Sequence, residues 1–155
     1  MSFPTVLQPG EGQSVQIKES VCTIKATGKD THGHLGLFEF NMAPGAKGAT
    51  PHIHKKMVEM FYVAAGTVEF LLEEKRTIAS QGAFVLVPEN TPHAFSNPGP
   101  MPATVLLLFC PNDSREEYFA GMAELTKNGR EPTQEELSAL MERFDQYLVP
   151  DPQEQ

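Results

Sequence analysis

Two histidines stand one residue apart in the segment Pro51–Gly66, PHIHKKMVEMFYVAAG, and a glutamate, Glu59, interrupts the apolar run behind them. In an extended strand, residues i and i+2 point to the same side roughly 6.5–7 Å apart, so the imidazoles of His52 and His54 can lean together onto one ion. Lys55-Lys56 reads as a turn or strand edge. Beyond it, Glu59, Phe61 and Val63 share one face, and Met60, Tyr62 and Ala64 the other. If the Glu59 face is the inner one, the carboxylate needs a partner, because an unpaired buried carboxylate is either costly or forced to stay protonated. A divalent cation held by two neutral histidines would satisfy it. A fourth ligand can come from His93 in VPENTPHAFSN, distant in sequence and on the same face as Phe95.

The elements that must position these groups are short. Up to about residue 110 the chain is a series of apolar runs punctuated by Gly, Pro and Asn, among them SVQIKESVCTIKAT, HLGLFEFNM, MFYVAAGTVEFLL, GAFVLVP and ATVLLLFC. Many short strands at close spacing predict an antiparallel sandwich or barrel over residues 1–111. The texture changes after Pro111. Ser114-x-x-Glu117 predicts a capping box opening a helix with Tyr118, Phe119, Met122 and Leu125 on one face and Asn128-Gly129 as its stop. Thr133-x-x-Glu136 opens a second helix, whose apolar stripe Leu137, Leu140, Met141, Phe144 and Leu148 is predicted to run to Pro150. Residues 112–150 then form a helical extension whose stripes pack on the barrel or on a second subunit. A lid over a pocket mouth is the other reading, and residues 151–155 are expected to be a mobile tail.

Composition narrows the function classes. A chain of 155 residues with 40% apolar and 21% charged residues is one ordinary domain with a real core. Twenty acidic against 12 basic residues, a formal charge of −8 and no larger basic cluster than Lys55-Lys56 or Lys75-Arg76 argue against a nucleic-acid partner. No apolar run approaches the length of a membrane span, and the opening MSFPTVLQPGEG lacks the pattern of a secretory signal, so a cytoplasmic location is expected. Cys22 and Cys110 lie in apolar runs without a paired spacing and read as reduced thiols.

At this point the motifs resemble those of the cupins. The first cupin motif is Gly, five residues, His-x-His, three or four residues, Glu, six residues, Gly, and His52, His54, Glu59 and Gly66 match it from the first histidine onward. The second is Gly, five residues, Pro-x-Gly, two residues, His, three residues, Asn, matched by Gly82, Pro88, His93 and Asn97. Residues 67–81 separate the two. Gly45 stands one residue too far before His52, and Asn90 replaces the Gly after Pro88, a position where Asn is the non-glycine residue best able to take a left-handed conformation. The resemblance implies an all-β cupin double-stranded β-helix, or jelly-roll barrel, with two C-terminal α-helices. It further implies one divalent transition metal bound by His52, His54, Glu59 and His93, with positions left open as in catalytic sites. Imidazole and carboxylate donors suit Fe, Ni, Mn, Co, Cu or Zn.

Three neutral imidazoles, one carboxylate and a dication leave a local charge of about +1. The expected pocket wall is Phe61, Phe84 or Val85, Phe95 and one face of the run containing Leu107. Such a site favours a small or flat apolar substrate that offers an enolate, phenolate or carboxylate oxygen. The resemblance is strongest to single-domain, quercetinase-like cupins. It implies a metal-dependent dioxygenase acting on a flavonol- or diketone-like substrate, with Glu59 as metal ligand or base. A metal-assisted cyclase or isomerase of a polyketide- or sugar-like substrate, a non-enzymatic ligand- or metal-binding barrel and a metal-free cupin are the alternatives. His32 and His34 form a second His-x-His with no carboxylate at a matching distance. A turn or solvent-edge role is expected, with His34 as a candidate contact at the pocket mouth. Met60 and Tyr62, apolar groups on the outer face, suggest a homodimer.

Overall fold

Alternation decides which way each strand faces. In Gly36–Met42, Phe38, Phe40 and Met42 are buried while Leu37, Glu39 and Asn41 are only partly covered, and Ala103–Cys110 repeats the pattern with Ala103, Val105, Leu107 and Phe109 inside. The computed structural model describes residues 3–153. Its strands are β1 (Gln13–Ile17), β2 (Ser20–Ala26), β3 (Gly36–Met42), β4 (Lys47–Ile53), β5 (Val58–Ala65), β6 (Thr67–Leu72), β7 (Lys75–Ser80), β8 (Phe84–Val87), β9 (His93–Ser96) and β10 (Ala103–Cys110). Helices α1 (Arg115–Leu125) and α2 (Gln134–Arg143) follow, and β11 (Tyr147–Leu148) closes the described elements. One sheet has the order β1-β2-β3-β10-β5-β8, the other β11-β4-β9-β6-β7, and the pairings are antiparallel. The fold is the expected jelly-roll barrel with C-terminal helices.

The two inner faces meet over an aromatic core. Phe61 packs on Phe70 and Phe95 at centroid distances of 5.0 and 5.3 Å, forming one cluster. Phe38 lies 5.8 Å from Phe109 and 4.8 Å from Phe119 of α1, forming the other. Cys22 is buried against this core and both cysteines are free.

The helical extension departs from expectation in three places. Ser114 makes no side-chain cap. Asn112 does that work instead, its Oδ1 accepting from the Arg115 N–H at 2.8 Å. At α2 the capping box is present, with Thr133 Oγ1 accepting from Glu136 N–H at 3.2 Å and Glu136 accepting from Thr133 N–H at 2.9 Å. That helix does not reach Pro150. It ends at Arg143 because Asp145 adopts a left-handed φ of 56° and the N–H groups of Phe144 and Gln146 both turn back to the Met141 carbonyl. Leu148 therefore belongs to β11, which adds an edge strand beside β4. The tail read as mobile is partly fastened, since Arg76 donates to Asp151 at 3.0 Å and to Gln153 at 2.9 Å; residues 154 and 155 lie outside the described residues.

Candidate metal centre

Three short strands deliver the candidate ligands to one place. His52 on β4 is in register with His93 on β9, so the two imidazoles lie side by side, tilted by 55°, with centroids 4.2 Å apart. His54 follows at the end of β4. Glu59 reaches across from β5 of the other sheet, on the inner face with Phe61 and Val63 as alternation required. All four side chains are buried, and one donor atom from each lies within 4.8 Å of the others. Asn90 adopts a left-handed φ of 60° in the turn before β9 and donates its N–H to the His54 carbonyl at 2.6 Å, so the departure from glycine there keeps the backbone conformation. Buried Asn97 holds the following loop, donating to the carbonyls of Ala43 and Met101 and accepting from Gly99 N–H.

The ring orientations decide the chemistry. Nδ1 of His52, His54 and His93 lies 2.7, 2.6 and 2.8 Å from the backbone carbonyls of Thr50, Asp145 and Thr91. A carbonyl can only accept, so each Nδ1 carries a hydrogen and each neutral ring turns an Nε2 lone pair inward. Those lone pairs face Glu59 Oε2, at 3.0 Å from His54, 2.8 Å from His93 and 3.9 Å from His52. Lone pair against carboxylate oxygen is repulsive unless a cation lies between them, either protons on the rings or a metal ion. Burial pushes His52 down to about 4, with the neighbouring imidazoles adding to the effect and Glu59 opposing it, so protonation of that ring is disfavoured near neutral pH. For Glu59, burial raises the carboxyl, but hydrogen bonds from the imidazoles, which exist only where Nε2 carries a proton, outweigh it and hold the group well below the usual carboxylate range; in the loaded protein the ion would take the place of those protons. An ionised carboxylate and inward lone pairs are the donor set of a divalent transition metal, and backbone partners on every Nδ1 are the supports that ligating histidines use.

The centre opens onto a small cavity bordered by His52, Glu59, Phe95, Leu107, Arg115 and Tyr118, among others. Its free volume is about 30 Å³, close to the share of one water molecule in the liquid. The expected pocket residues divide. Phe95 and Leu107 border the cavity, while Phe61 lies one layer below, 6.3 Å from the His93 ring. Phe84 is 60% exposed and does not line it: Phe84 pairs with outward-facing Tyr62, whereas Val85 pairs with inward-facing Phe61. His34 is exposed in the bend before β3, and His32 in the preceding turn, so neither joins the centre. Glu39 is on the outer face, with Lys25 Nζ at 3.6 Å and Asn41 donating at 2.9 Å.

Sequence reasoning missed the groups that the extension brings. Arg115, Tyr118 and Phe119 of α1 and Gln146 after α2 border the cavity, so α1 both packs on the barrel and walls the cavity. Asp145 supplies the carbonyl behind His54, and its carboxylate accepts from the N–H groups of Lys55 and Lys56 at 3.0 and 2.8 Å. A signal for Arg115 was present, because a cation in the first turn of a helix opposes the helix dipole and calls for a reason.

Fold and site together define a jelly-roll barrel with a candidate metal centre of three histidines and one glutamate at its mouth. Residues 38–109 match the family model of the Cupin domain, and this match together with the fold supports placing the barrel in the cupin superfamily. Among solved structures, the chain resembles KdgF from Halomonas sp. at 23% identity, over 74% of this chain and 99% of that one, with a TM-score of 0.64. The polyketide cyclase RemF from Streptomyces resistomycificus is similar at 17% identity, over 71% and 81%, with a TM-score of 0.63. A predicted oxalate decarboxylase from Thermotoga maritima is similar at 16% identity, over 69% and 99%, with a TM-score of 0.65. At these identities the likeness is one of fold. No curated protein matches the chain.

Proposed function

We propose that the protein is a metal-dependent enzyme acting on a small enolisable or phenolic substrate, and that its reaction is the oxygen-dependent cleavage of a dioxygenase. The observation that carries this reading is the convergence of three inward Nε2 atoms on Glu59, each ring held by a carbonyl at Nδ1, beside an apolar cavity. When bound, the ion supplies Lewis acidity toward an enolate, phenolate or carboxylate oxygen. The chain does the rest. His52, His54 and His93 would hold the ion, and Glu59 would balance its charge as a ligand or act as the base toward the substrate. Phe95, Leu107 and Phe119 exclude water from the reacting atoms.

A second reading, a cyclase or isomerase that consumes no oxygen, is favoured by the polar wall. The Tyr118 hydroxyl accepts from Gln146 Nε2 at 3.2 Å, and burial raises the phenol above its ordinary value, so it stays protonated and able to donate at neutral pH. Fold neighbours include a polyketide cyclase. Elemental analysis of the purified protein, combined with oxygen uptake across flavonols, diketones and polyphenols, tests both readings. We expect close to one transition-metal ion per chain and oxygen consumption with one substrate class. Turnover without oxygen uptake would move the assignment to the second reading, and metal-loaded protein with tight ligand binding but no turnover would make it a binding barrel.

A further inference from the structure

Arg115 is a charged group at the cavity for which the metal centre alone gives no use. It is 4% exposed and borders the cavity beside His52, Glu59 and Tyr118. Nη1 donates to the Phe144 carbonyl at 3.1 Å, Nη2 donates to the Gln146 side-chain oxygen, and the guanidinium lies 3.8 Å above the Tyr118 ring. Nε–H is buried with no partner. Among the described residues no carboxylate stands within ion-pair distance of Arg115. Glu59 and Asp145 act on it only from further away, and burial lowers its affinity for its own proton.

Burial, the lack of a counter-ion and a place in the first turn of α1 all disfavour a cation at this position. With a dication at the centre the imbalance grows, because Glu59 is then matched by the ion and Arg115 adds uncompensated positive charge to the same enclosed space. We propose that Arg115 receives the carboxylate of the substrate, which makes the substrate a small oxo- or hydroxy-acid with a second oxygen for the metal centre. Nε and Nη2 form the edge of the guanidinium that matches the two oxygens of a carboxylate; Gln146 holds one half of that edge, and Nε is the half left over. Arg115 also borders an outer hollow of about 170 Å³, lined by Lys56, Asp113, Glu142, Arg143 and Asp145 among others.

This inference rests on reading His52, His54, Glu59 and His93 as a metal centre, so zinc content is measured first on the wild type and on Arg115→Gln and Arg115→Lys. Pyruvate and its uncharged amide, pyruvamide, are then titrated into each zinc-loaded protein by calorimetry. We expect zinc to be retained in all three, pyruvate to bind the wild type more tightly than pyruvamide, and Arg115→Gln to weaken pyruvate by about 10- to 100-fold, the loss of a charged hydrogen bond, while leaving pyruvamide unchanged. In wild-type protein carrying 15N-labelled arginine, the Nε–H resonance that is missing from Arg115→Lys should move on addition of pyruvate, a readout that does not depend on the folding of Arg115→Gln. Pyruvate affinity indifferent to Arg115, a resonance that stays still while pyruvate binds, or no pyruvate binding by the zinc-loaded wild type would each overturn the carboxylate assignment. Failure of the wild type to take up zinc or any other transition metal would instead overturn the metal centre.

Discussion

Replacing Glu59 by glutamine keeps the size of the side chain but removes the charge that faces three imidazole lone pairs. We expect Glu59→Gln and His93→Ala to lower metal affinity by more than the roughly 10- to 100-fold that follows loss of a ligand's supporting partner. Metal content by mass spectrometry after dialysis checks this, and retention of a full ion by Glu59→Gln would sink the ligand assignment. Without metal, Glu59→Gln should melt no lower than the wild type, because it removes a buried charge. At Cys22 the expectation is inertness. Burial pushes its thiol up to about 12, so at pH 8 almost none is thiolate, and iodoacetamide should label Cys110 in the folded protein and Cys22 only after denaturation.

At the scale of the element, the caps separate sequence pattern from actual hydrogen bonds. Ser114 makes no side-chain cap, so Ser114→Ala should change stability little. Asn112→Ala and Thr133→Ala should each cost about 1 kcal/mol, since both side chains accept from a helix-terminal N–H; urea unfolding distinguishes the three. The turn after α2 matters for a different reason. Asp145 holds the Lys55-Lys56 turn through its carboxylate and the His54 ring through its carbonyl, at a left-handed φ that asparagine tolerates. Asp145→Asn should therefore keep the turn and the fold but weaken metal binding by up to about tenfold, through looser placement of His54. Equal metal affinity in the two proteins would show that the carbonyl contact alone suffices.

For the whole molecule, the two sheets and the extension meet at the metal centre, so an ion that binds only the folded chain should stabilise all of it together. At 100 times its dissociation constant a divalent ion adds about 2.7 kcal/mol, seen as a rise in melting temperature that Glu59→Gln abolishes. The outer face of the β5–β8 edge presents Tyr62, Phe84 and Leu86, all substantially exposed, beside partly covered Met60. We propose a second copy of the chain as its occupant, as the sequence suggested from Met60 and Tyr62. Sedimentation at micromolar concentration should give a dimer that Phe84→Glu converts to monomer, and a monomeric wild type would remove the proposal. None of the described helices is long and apolar enough to cross a membrane.

Local pattern was enough to identify the barrel strands and to put Glu59 on one face with Phe61 and Val63, because alternation is a property of neighbouring residues, while the four candidate ligands followed from the resemblance of two separated motifs to those of the cupins. It placed Phe84 and Val85 only as alternatives, since a shift of one residue reverses the face and the register is set by pairing with β5. Nor could it show that the extension walls the cavity. Arg115, Tyr118 and Gln146 are brought beside His52 and Glu59 by the packing of α1 on the Phe38–Phe109 core and by the turn at Asp145 that sends the chain back along β4. The ligand set was thus legible in the sequence. The tautomer of His54 and the buried cation beside the ligands were decided by the tertiary structure, because the Asp145 carbonyl and α1 are distant in sequence, whereas the carbonyls that hold His52 and His93 lie two residues before each ring.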